Sequence, residues 1–68
     1  MKVSRVVIHF KTETGFINPY SAVEGAAVAD LHYIVRDGMA TVNYKQPDGV
    51  RKGNSFPVEN ILEVETNL

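Results

Sequence analysis

The dipeptide Asp37-Gly38, set between two alternating runs at 31–35 and 39–45, constrains the fold of this chain more than any other feature. Both residues tolerate the positive φ that a two-residue type I′ turn demands, so they predict an antiparallel hairpin. Leu31, Tyr33 and Val35 then share one face, with His32, Ile34 and Arg36 on the other. On the return strand Ala40, Val42 and Tyr44 point inward. A second turn, Gln46-Pro47-Asp48-Gly49, follows, and it sends the chain into a weaker arm over 50–56. There Gly53, Asn54 and Ser55 are poor strand formers and predict a bulge or a frayed end.

The same period of two marks residues 3–10, where Val6, Ile8 and Phe10 share a face and Arg5 and His9 share the other with Val3 and Val7. Thr12-Glu13-Thr14-Gly15 is turn chemistry, and Asn18-Pro19 breaks an extended strand. Residues 57–61 open with proline and predict one 3₁₀ turn leading into a last alternating strand at 62–66. The stretch 19–30 has two readings. Its alanines and the Ser21-x-x-Glu24 pair favour a short helix, whereas Gly25 and the spacing of Val23, Ala26 and Val28 fit a small-residue strand or loop.

These elements predict a mainly β single domain over 1–68, with four or five antiparallel strands curled into a small barrel or roll. The expected core is Val6, Ile8, Phe10, Leu31, Tyr33, Val35, Val42, Tyr44, Leu62 and Val64. A chain of 68 residues buries only about 60% of the surface its unfolded form exposes. With no cysteine, it has no disulfide to compensate. The same absence removes thiolate chemistry and suits a reducing compartment. No signal or membrane-spanning pattern is visible at residues 1–10, so the expected location is the cytoplasm, without a membrane partner.

Chemistry is sparse. The sequence carries no nucleophile elbow, catalytic triad or phosphate-cradling glycine loop, and the reading is a non-enzymatic protein without catalytic residues or cofactor. His9 and His32 would hold a metal only if their strands were neighbours and a third ligand joined them; the spacing supplies none, so no metal is expected. The net charge of −1 offers no global attraction for a polyanion. Binding candidates are therefore local. Phe16 and Tyr20, in the segment around Asn18-Pro19, are candidate exposed anchors, and Lys45, Arg51 and Lys52, with Arg36, are candidate protein or phosphate contacts. Glu59, Glu63 and Glu65 stand near the C-terminus with no basic residue among them. If Val7 and Ile34 are exposed together, a homodimer would bury them.

The succession of 3–10, then Tyr33-Ile34-Val35-Arg36-Asp37-Gly38-Met39-Ala40-Thr41-Val42-Asn43-Tyr44, then Asp48-Gly49, then Phe56-Pro57-Val58-Glu59-Asn60-Ile61-Leu62-Glu63-Val64-Glu65 resembles the short all-β proteins encoded in phages and prophages of Gram-positive bacteria. Those look like SH3-like small barrels. Residues 16–30 depart from that pattern, and the groove residues of peptide-binding SH3 domains have no clear counterparts. The resemblance implies an uncharacterised accessory protein that contacts a host or phage protein. A nucleic-acid-binding small barrel, with Arg36, Lys45, Arg51 and Lys52 on phosphates and Phe16 or Tyr20 stacked on a base, is the alternative; a structural homo-oligomer is a third.

Overall fold

The computed structural model describes all residues 1–68 and consists of six antiparallel strands and one 3₁₀ turn. The strands are β1 (Arg5–Lys11), β2 (Ile17–Val23), β3 (Ala29–Arg36), β4 (Met39–Lys45), β5 (Arg51–Pro57) and β6 (Ile61–Asn67); the 3₁₀ turn, Val58–Asn60, directly precedes β6. They form two three-stranded sheets, β2-β1-β6 and β3-β4-β5, rather than a closed barrel of four or five strands. The β3-β4-β5 sheet is a meander of consecutive strands. By contrast, β1 is central in its sheet because the chain's last strand returns to it.

Turn chemistry explains the hairpins. Asp37 and Gly38 both adopt positive φ, 53° and 75°, as the type I′ reading requires. The other two hairpins share one device. Thr12 N–H donates to the Phe16 carbonyl and Gly15 N–H to Thr12; likewise Gln46 N–H donates to Val50 and Gly49 N–H to Gln46. Gly15 and Gly49 take φ of 87° and 88°, the left-handed position of a three-residue loop that only glycine fills without strain.

No helix forms in 19–30. Residues 17–23 are β2 instead, and residues 29 and 30 already belong to β3. Pro19 does not break the strand because of where its missing N–H would point. The Thr12–Phe16 and Glu24–Ser4 backbone bonds direct even-numbered β2 groups toward β1, so Pro19 faces the outer edge, where no donor is needed. Residues 53–55 likewise sit in a continuous ladder, Asn43↔Gly53, Val42↔Asn54 and Thr41↔Ser55, without a bulge or frayed end.

The core is small. Val3, Val6, Val7, Ile8, Ala22, Leu31, Ala40 and Val42 are the eight buried residues of the 68, with Phe10, Tyr20, Tyr33, Tyr44, Phe56, Ile61 and Val64 packed around them. Three expectations change. Val3 points inward, because residues 1–3 leave the line of β1 and pair along β3: Val3 N–H donates to Leu31, and Tyr33 N–H to Met1. Leu62 is 58% exposed, because the β1–β6 register slips between His9 and Phe10, so that Ile61 and Val64 turn inward across the bulge. Val35 stays opposite Ala40, but on the edge strand β3 it is exposed.

Candidate interaction surface

The first hairpin carries its apolar residues outward. Phe16 is 71% exposed and Ile17 61%, consecutive residues just beyond the Gly15 loop that alternate between the two faces. Tyr20 is only three residues further on, yet its environment is different. It is half-buried opposite Ile8, its ring centroid 5.1 Å from that of Phe56, and its hydroxyl accepts a hydrogen bond from Asn54 Nδ2 at 2.9 Å. Phe56 also meets Phe10 at 5.0 Å, so Tyr20 belongs to an aromatic cluster that ties the two sheets together. Phe16 remains the free aromatic of the pair.

The four basic candidates do not form one patch. Arg36 pairs with Met39 at one end of β4, and Lys45 pairs with Arg51 at the other. At about 3.4 Å per residue, these ends are roughly 20 Å apart. Even at the β4–β5 tip, alternation puts Lys45 and Arg51 on the outer face and Lys52, opposite Tyr44, on the inner one. Arg51 is occupied: it donates to Asp30 Oδ2 at 2.9 Å, to the Asp30 carbonyl at 2.9 Å and to Asn43 Oδ1 at 2.6 Å. Lys45 and Lys52 make no ion pair.

Asp30 is the centre of a charged cluster that no sequence pattern announces. It sits at φ 52°, in the irregular register between Ala29 and His32. Besides Arg51 it faces Lys2 Nζ at 4.0 Å and His32 Nδ1 at 3.7 Å. Lys2 in turn binds Glu24 at 2.8 Å, and Glu24 accepts a weaker bond from Leu31 N–H. The Arg51 hydrogen bond holds the Asp30 carboxyl below its ordinary pKa; the Lys2 hydrogen bond does the same for Glu24, which in turn raises Lys2. Burial pushes the Tyr33 hydroxyl up. The cluster lies in solvent, so its pairs contribute modestly to stability. Its geometry nevertheless joins the N-terminal segment, the end of β2, β3 and β5.

The two histidines lie on different sheets, His9 3.4 Å from Glu63 and His32 beside Asp30. Val7 and Ile34 are also separated. Val7 is buried between Ser21 and Glu65 on the first sheet, and Ile34 is exposed on the second, so they do not form a shared patch.

The strand edges differ as well. β2 and β5 each direct a proline, Pro19 and Pro57, to the free side; for β5 the Gln46–Val50 and Val58–Gly38 bonds fix that direction. β3 is partly covered by residues 1–3. β6 has neither a proline nor a cover. No helix is long and apolar enough to cross a membrane. Neither family models, nor curated proteins, nor solved structures match this chain.

Proposed function

We propose that this chain is a non-enzymatic accessory protein, of the SH3-like kind found in phages and prophages, which acts in the cytoplasm by contact with another protein. The observation that carries the reading is the exposure of two large apolar side chains, Phe16 and Ile17, at the β1–β2 tip, with Phe16 the aromatic anchor. The SH3-like assignment is supported by the 3₁₀ turn before the last strand and by that strand's return to the first. The phage setting rests on the sequence resemblance, and the cytoplasmic one on the absence of cysteine.

The test is capture from a lysate of a Gram-positive bacterium on the immobilised chain. A discrete protein should be retained, and it should be lost with the Phe16→Ser, Ile17→Ser double variant. Retention that the variant leaves unchanged removes the site; no retention removes the reading.

Nucleic-acid binding is the second reading, favoured by the free Lys45 and Lys52 at the β4–β5 tip. Because Arg51 is engaged by Asp30, this reading predicts only a shallow salt dependence, about two phosphate contacts' worth on single strands between roughly 50 and 200 mM. A filter-binding assay over that range decides it, since no retention at low salt eliminates it. A homo-oligomer would appear as a concentration-dependent sedimentation coefficient.

A further inference from the structure

The outer edge of β6 carries backbone groups without a partner and, unlike the edges of β2 and β5, no proline. On β1, the Thr12 N–H and the Ser4 carbonyl turn to the β2 side, so within the strand even residues face β2 and odd residues face β6, matching the registers Arg5↔Asn67, Val7↔Glu65 and His9↔Glu63; the Ser4 N–H, just before the strand, donates to Asn67. The N–H and C=O groups of Val64 and Thr66 therefore point away from β1, and no backbone bond outside the ladders reaches them. A row of this kind is a template for an added strand.

The side chains beside that row select the occupant. Glu63 and Glu65 lie on the outer face of β6, 3.4 Å from His9 and 3.8 Å from Arg5 of β1 on one side and open on the other, and they flank Val64, which faces the core. A second copy paired antiparallel about Val64 would set Glu63 directly against Glu65 twice over, and like charges opposite one another are destabilising. A strand that alternates basic and apolar residues has the opposite effect: its basic side chains stand across from Glu63 and Glu65, and its apolar one extends the row of Val64, Ile8 and Tyr20. We propose that β6 receives an extended basic segment of a partner protein as a fourth strand of the β2-β1-β6 sheet. This deepens the reading of the chain as a protein-contact module and rests on it.

The experiment uses the full chain and two short synthetic peptides, one alternating lysine and valine, the other glutamate and valine. At low salt the lysine peptide should bind and slow hydrogen exchange at the Val64 and Thr66 amides, while the glutamate peptide should not bind. Glu63→Gln with Glu65→Gln should weaken the lysine peptide about tenfold, the effect of losing two cross-strand charge pairs. Thr66→Pro removes one edge donor without touching the β1 ladder and should abolish binding; the glutamine variant keeps the test decisive if the proline variant does not fold. Equal binding of both peptides, protection elsewhere, no binding, or concentration-dependent protection of β6 without peptide overturns the inference. If the peptides fail while Phe16-dependent lysate capture persists, the protein-contact reading stands and only the β6 site is lost. If both fail, both fall.

Discussion

The two sheets have the same number of strands but are assembled on different terms. In β3-β4-β5 every partner is the next strand along the chain, and each hairpin is closed by a turn whose residues dictate it. In β2-β1-β6 the hairpin β1–β2 is local, but β1 and β6 meet with partners as far apart as Arg5 and Asn67, 62 residues in sequence. The core is shared between them: β1 and β2 supply Val6, Val7, Ile8 and Ala22, and β3 and β4 supply Leu31, Ala40 and Val42, with Val3 laid along β3. Val6, Val7 and Ile8 are consecutive buried residues of β1, while β4 buries Ala40 and Val42. Loop closure has to be met before distant pairing brings any return, so the sheet that joins β1 to β6 should be the later one to form.

The comparison can be broken most directly in the core. Ile8→Ala should destabilise by about 2–5 kcal/mol in urea unfolding, a large share of what so small a domain has, and should act mainly by speeding unfolding. Val42→Ala removes less, about 2 kcal/mol, but should act mainly by slowing folding. Stopped-flow chevrons for both variants check this, and equal slowing would mean that the two sheets form together.

Glycine substitutions sharpen the same point at smaller cost. Neither Gly38 nor Gly15 has an atom near an added Cβ, so Gly38→Ala and Gly15→Ala each cost about 1–2 kcal/mol through backbone conformation alone. Gly38→Ala should lower the folding rate more than Gly15→Ala does, although their equilibrium losses are similar. Reversal of that order in the same chevrons would place the nucleus in the first hairpin.

The smallest effect lies in the charged cluster. Asp30 and Glu24 have lowered pKa values in the folded chain, so in acid the unfolded chain binds more protons. Their contribution is complete above the usual carboxylate range and is lost as pH falls through their lowered folded values. Lys2, raised by Glu24, has the opposite dependence: its contribution is present below the ordinary lysine value and is lost as pH rises through the folded one. Arg51→Ala should flatten the acid limb of stability against pH, as followed by thermal melting, and high salt should do so too. A limb unchanged by the substitution would remove Asp30 as its source.

How much could be read in advance follows from the same division. Asp37-Gly38, the Pro47-Asp48-Gly49 turn and the 3₁₀ turn after Pro57 are legible because their conformations are set by the residues themselves. Pro19 and Leu62 are not. Whether a proline breaks a strand depends on which side its nitrogen faces, and whether a leucine is buried depends on a bulge made against a strand at the other end of the chain. At the candidate surface, Phe16 could be singled out as an apolar residue near a turn. The engagement of Arg51 by Asp30, 21 residues away, arises only once β3 and β5 flank β4. The open β6 edge is defined by pairing, so its only trace in the sequence is the lack of proline and of basic residues after position 57.

That the strand at the centre of the first sheet waits for the last one bears on the order in which a ribosome delivers the chain. Val6, Val7 and Ile8 emerge well before Val64 and its neighbours. During that interval a nascent chain displays an apolar strand with one flank unfilled, the state in which aggregation and chaperone capture compete with folding. The first sheet is therefore completed with the meander already available as a platform when the closing strand arrives.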